Sequence, residues 1–158
     1  MSVNFPALVV ASLVTLFIGF IWYHPKVFGT AWMKETGMTE EKAKQGNLIK
    51  IFGLTLLYSF LLSFMLTQIV NHEIGALQAA GGNVNDPALK EFLKAHHGKF
   101  LSFKHGLLHG IMAGVLFAFP VITINSLFEQ KSWKYILINA GYWIIALGIM
   151  GAIICGWQ

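Results

Sequence analysis

The chain has no arginine, holds a single cysteine (Cys155), and is charged at only 11% of its 158 positions. A soluble domain carries about 25% charged residues, so a water-facing surface of ordinary composition is excluded. One cysteine excludes an intrachain disulfide and any multi-cysteine metal site. Cys155 sits in an apolar stretch, where a thiol behaves as a small hydrophobe. The missing Arg argues against nucleic acid despite a pI near 9.3, because phosphate and base recognition leans on the guanidinium fork. All 11 basic residues are Lys, and they flank apolar stretches rather than forming a patch.

The gaps between charges are as informative as their scarcity. No Asp, Glu, Lys or Arg occurs in windows 1–25, 51–72, 105–128 and 135–158. A helix crossing a bilayer needs about 20 mainly apolar residues, and each window admits one. The fold class expected is therefore all-α: an integral membrane four-helix bundle forming a single membrane domain over 1–158. The spans fall at about 4–23, 48–70, 103–126 and 133–157. The first lacks a basic start and a small-x-small cleavage site, so it reads as a retained span.

Local signals mark the ends. Asn4 is a candidate N-cap with Pro6 in the first turn, and Pro25 bars continuation of the first helix. Phe28, Trp32 and Met33 are expected on the membrane surface, and Thr39 before Glu40 and Glu41 starts a short helix. Asp86, Pro87 and Gly98 bracket a helix over 87–97 whose Leu89, Phe92, Leu93 and His96 share one face. That is the pattern of a short interfacial helix between spans two and three. Pro120 should kink span three around 116–120.

The stretch containing Trp22-Tyr23-His24-Pro25, Phe28-Gly29 and Trp32-Met33 resembles the hallmark of the domain of unknown function 1761 (DUF1761) family. The end of the chain is similar too, through Leu127-Phe128-Glu129, Asn139-Ala140-Gly141-Tyr142-Trp143, Gly148 and Trp157. The resemblance implies a small four-span membrane protein of the kind found in bacteria and fungi. It implies no assigned activity and no catalytic residue.

Small residues recur at helical spacing. Gly106, Gly110 and Gly114 lie four apart, and Gly148 and Ala152 repeat the spacing in span four, which lets helix backbones approach closely. Packing inside one bundle is the preferred reading over an oligomer interface. His105 and His109 are also four apart, on one helix face and roughly 6 Å apart along the axis. That is metal-ligand spacing. His96, with His72 and His97 as further candidates, lies on the same side of the membrane. Zinc, copper or haem are the possible occupants; polar His at a wet helix end is the plainer alternative.

No span contains an Asp or Glu, which disfavours a proton-coupled carrier, and no nucleophile–base pair or phosphate loop occurs. Thr15, Thr55, Gln68, Thr123, Asn125 and Asn139 read best as interhelical hydrogen bonds. The leading expectation is a non-enzymatic membrane protein, an accessory subunit or self-associating scaffold with a lipid or ligand cavity. The alternatives are a His-based metal or haem protein and a small channel or carrier lined by Asn, Gln and Thr. Partners expected are the lipid bilayer and a homo-oligomer or larger membrane complex. The bacterial inner membrane is the expected location. Seven Lys flank loops one and three against four in loop two, so both termini are expected outside.

Overall fold

The long helices begin where a short polar side chain can accept an orphan backbone N–H. In the computed structural model, which describes residues 3–158, α1 (Phe5–Trp22) starts at Asn4, whose Oδ1 accepts from Ala7 N at 3.1 Å. α4 (Leu48–Val70) starts at Asn47, α7 (Phe103–Ala113) at Ser102 and α9 (Trp133–Gly156) at Ser132, each through the same kind of bond. Between them lie α2 (Thr30–Thr36), α3 (Glu40–Lys44), α5 (His72–Ala79), α6 (Pro87–His96) and α8 (Phe119–Phe128). No strand occurs among the described residues. Four helical segments are long and apolar enough to cross a membrane: α1, α4, the continuous run Phe103–Phe128, and α9. The protein is an all-α four-helix bundle.

α9 is the central post. Half of its span is buried, against 28% for α1 and 11% for each of the other two. Its Leu147, Met150, Ile154 and Cys155 form one buried cluster with Leu8, Ala11 and Val14 of α1 and Leu66 and Val70 of α4, and Ile136 and Ala140 are buried nearer its start. The outward faces, with Phe17, Leu116 and Phe117, remain exposed and apolar. That is a coat suited to lipid rather than water.

The closest approach is between α7 and α9. A Cβ on Gly106 would stand 2.1 Å from the Gly151 carbonyl oxygen, and one on Gly110 would stand 2.2 Å from that of Leu147. Gly114 lies against Ile144, and Gly148 faces Ile111 and Leu107. The seam on α9 thus runs 144, 148, 151, 155. Ala152, expected in that seam, is only half-buried, and Gly151 takes its place. Steps of four overshoot a 3.6-residue turn, so the step from 148 to 151 returns the seam to one face.

Span three is interrupted as Pro120 requires, by a specific device. Residues Gly114–Ala118 form a π-helical turn just before the proline. Pro120 has no N–H, and its ring crowds the carbonyl four residues back; local widening relieves both.

One segment differs from expectation. After Asn71 breaks α4, the chain resumes as α5, because Asn71 both ends one helix and caps the next, its Oδ1 accepting from Glu73 N at 3.0 Å. Beyond α1 the chain turns within a few residues. His24 is extended, Pro25–Gly29 form a second π-helical turn, and α2 folds back onto the bundle. Gly29 is obligatory there, since a Cβ would meet the Tyr23 carbonyl oxygen at 2.2 Å.

Of the polar residues inside the spans, Thr15 bonds Ser59 across α1 and α4, and Asn139 bonds Tyr23. Thr55 bonds its own helix at Ile51, and Thr123 Oγ1 has no partner among the described residues.

Candidate functional site

α6 falls within the expected 87–97 and begins as expected at Asp86, whose Oδ1 accepts from Leu89 N at 2.9 Å. Leu89 on its apolar face is buried within the protein. Glu73 of α5 secures the far end. Its Oε1 accepts from Gly98 N at 2.8 Å and lies 2.9 Å from His97 Nδ1. Gly98, at φ 74, then turns the chain towards α7.

This arrangement separates the histidines. His97 is held by Glu73, and His96 rests on Phe92 with ring centroids 4.9 Å apart. The residue that joins His105 and His109 is instead His72, the first residue of α5. His72 Nε2 lies 2.9 Å from His105 Nε2. One nitrogen of each of His72, His105 and His109 lies within 4.8 Å of the other two. The expected trio with His96 is therefore replaced by one with His72. The physical reason is that Phe100, inserted after Gly98, occupies the space beside the pair, 5.5 Å from His72 and 5.3 Å from His105.

At the opposite end of the bundle, α1, α4 and α9 enclose a cleft of about 730 Å³. It exists because α4 leans away: its buried residues are Ser59, Ser63, Leu66, Thr67 and Val70, and none falls within 48–58. The walls are Phe20, Phe52, Trp32 and Trp143, with Gly19 leaving room between them. The polar groups are few and already oriented. Tyr23 Oη donates to Asn139 Oδ1 at 3.0 Å, and Tyr142 Oη donates to the Thr15 carbonyl at 2.8 Å. Thr15 Oγ1 donates to the Ser12 carbonyl, so Ser59 donates to Thr15 at 2.7 Å. An apolar concavity of 300–1,000 Å³ with a few convergent polar groups is the common form of a small-molecule site.

Tyr23, His24 and Pro25 line this cleft together with Asn139, Tyr142 and Trp143 from the distant end of the chain. Trp22, beside the cleft, ties α1 to α9: its Nε1 donates to the Ile138 carbonyl at 2.9 Å, and its ring meets Phe28 at a tilt with centroids 4.5 Å apart. Tyr23 meets Trp32 edge-on and Tyr142 at a tilt, both at 5.4 Å. Reasoning from spacing alone missed the site, because its halves are more than 100 residues apart. The available signal was the clustering of Trp, Tyr and Asn at the two ends of the chain.

None of the curated proteins and none of the solved structures compared with the chain matches it. A family described as "Protein of unknown function (DUF1761)" matches residues 6–155. With that match running through all four apolar helices and both halves of the aromatic cleft, the protein belongs to the DUF1761 family.

Proposed function

We propose that this integral membrane protein is a non-enzymatic binding or accessory subunit that holds a lipid-soluble, ring-bearing small molecule in the cleft between α1, α4 and α9. The observation that carries the reading is the cleft itself, about 730 Å³ between aromatic walls. Trp32, Trp143 and Phe52 offer ring faces and edges, which favour an aromatic or conjugated ring over a plain acyl chain. Tyr23, Asn139 and Tyr142 supply hydrogen-bonding partners for one or two polar substituents. The cleft lining contains no carboxylate, and its Thr15, Tyr23 and Tyr142 hydroxyls donate to protein acceptors, which supports binding rather than turnover.

The test is mass spectrometry of the intact protein released from mild detergent micelles, followed by solvent extraction of what it carries. A stoichiometric hydrophobic adduct is expected on wild type and lost in Gly19→Leu. That change fills the cleft without striking backbone, because a Cβ at Gly19 meets only Tyr142, at 3.9 Å. Gly53→Leu, at a position with open space around it, should keep the adduct. Equal occupancy in wild type and Gly19→Leu would reject the reading.

A further inference from the structure

The histidine trio sits at the end of the bundle away from the cleft, where α4 ends and α7 begins, and it is independent of the binding role above. Its frame is rigid on each side. His105 and His109 project from α7, whose Gly106 and Gly110 are seated on the α9 backbone. His72 follows Asn71, which caps α5. Just before it, the Val70 carbonyl accepts from Cys155 Sγ of α9 at 3.3 Å. Ligands carried by packed helices hold their geometry better than ligands on loops.

The spacing suits a small ion. A tetrahedral zinc with Zn–N of about 2.0–2.1 Å sets its ligand nitrogens roughly 3.4 Å apart. With nitrogens within 4.8 Å of one another and the His72 and His105 Nε2 atoms at 2.9 Å, that geometry is reached by opening the short gap by roughly 0.5 Å and closing the widest by roughly 1.4 Å or less. Across the 2.9 Å gap only one nitrogen can carry a proton, so the other presents the lone pair that a metal needs. The same closeness rules out a haem between the rings. Centroid separations of 4.3, 4.8 and 5.2 Å leave no room for a macrocycle.

Ligand chemistry then narrows the ion. Three imidazoles and no carboxylate disfavour calcium and magnesium, which take oxygen ligands. Imidazole suits zinc and copper. The nearest acid, Glu73, is committed to His97 and Gly98. His72 is exposed and His105 and His109 are half-buried, so the trio opens on the protein surface and is not sealed inside it. We infer that His72, His105 and His109 form a three-imidazole site for a divalent transition-metal cation of the zinc or copper type, with the fourth position open to water.

The test uses the full chain in mild detergent, purified without a polyhistidine tag. Zn²⁺ is titrated against a chromogenic chelator, and Co²⁺ is added in parallel as a spectroscopic probe. One equivalent of Zn²⁺ is expected on wild type, with the visible absorption of a four-coordinate Co²⁺ site. His72→Ala, His105→Ala and His109→Ala should each weaken Zn²⁺ binding by about 100-fold or more, beyond the loss typical of outer-sphere changes. His96→Ala and His97→Ala should leave it unchanged. His105→Gln, checked for wild-type melting, separates loss of a ligand from loss of fold. The inference is overturned if wild type binds Zn²⁺ no more tightly than the folded His105→Gln variant. It is equally overturned if His96→Ala weakens binding as much as His72→Ala does.

Discussion

Gly106 and Gly151 meet backbone to backbone, each lying where a Cβ on the other would strike its carbonyl oxygen, at 2.1 and 2.4 Å. Lipid is as apolar as Leu, so helix association in a bilayer depends on close dispersion contact rather than hydrophobic transfer. A backbone cannot swing aside as a side chain can. Gly106→Ala should therefore lower stability by about 3 kcal/mol or more, at the upper end of overpacking costs. Gly110→Leu, aimed at the Leu147 carbonyl, should prevent a monodisperse preparation altogether. Gly53→Ala, with nothing within 4 Å, is the neutral comparison. Thermal melting in detergent checks all three, and equal melting of Gly106→Ala and Gly53→Ala would refute the seam.

Thr15 and Ser59 join α1 to α4 at the floor of the cleft, both nearly inaccessible. Side-chain bonds of this kind contribute about 0.6 kcal/mol on average in membrane bundles and up to about 1.7. A double-mutant cycle with Thr15→Val and Ser59→Ala should return a coupling in that range. A coupling of zero in an SDS-unfolding titration would mean the two hydroxyls stabilise their own helices only.

The spans were legible because bilayer physics is coarse: charge-free length decides them, and 48–70 agrees with α4 to the residue. The starts at Asn4, Thr39 and Asp86 were legible for a related reason, since capping is a local exchange of one side chain for one orphan N–H. What escaped was contact between elements. Asn71 ends one helix and caps the next, a dual role that hides α5. His72 joins His105 only because α5 and the Phe100 turn bring two loop ends together. Gly151 replaces Ala152 because register in a seam depends on the partner helix. Tyr23 and Asn139 are neighbours in space alone.

Orientation follows from Lys placement, with seven flanking loops one and three against four in loop two. Positive residues near span ends are retained on the cytoplasmic side, so both termini should face outward. Membrane-impermeant maleimide should label Gln158→Cys and Asn83→Cys in intact cells, and Lys42→Cys only after permeabilisation. Native Cys155 is fully buried and gives no background. The reverse labelling pattern would invert the topology while leaving the bundle unchanged.

Glu73 ties α6 to α5 through Gly98 N and His97 while itself only 7% exposed. Removing a buried acceptor strands the Gly98 N–H, at about 1–3 kcal/mol, while the exposed His97 ring turns to water. Glu73→Ala should therefore release the 87–98 segment without melting the spans. Hydrogen exchange should rise there and stay unchanged in α9. Unchanged exchange over 87–98 would show that Leu89 alone holds the helix in place.

A metal that binds the folded protein also stabilises it, and this gives a check that does not depend on measuring occupancy. The histidine trio joins α5 to α7, so an ion there bridges two elements that separate on unfolding. At 100 times its dissociation constant, free Zn²⁺ should add about 2.7 kcal/mol by mass action. Wild-type melting should rise with Zn²⁺ and fall back when EDTA is added. His105→Gln should melt at one temperature under both conditions, because it has lost a ligand. His97→Ala should behave as wild type, since its ring serves Glu73 and not the trio. If EDTA lowers the melting of wild type and His105→Gln alike, the stabilising ion sits elsewhere, and the trio is a hydrogen-bonded cluster at a wet helix end.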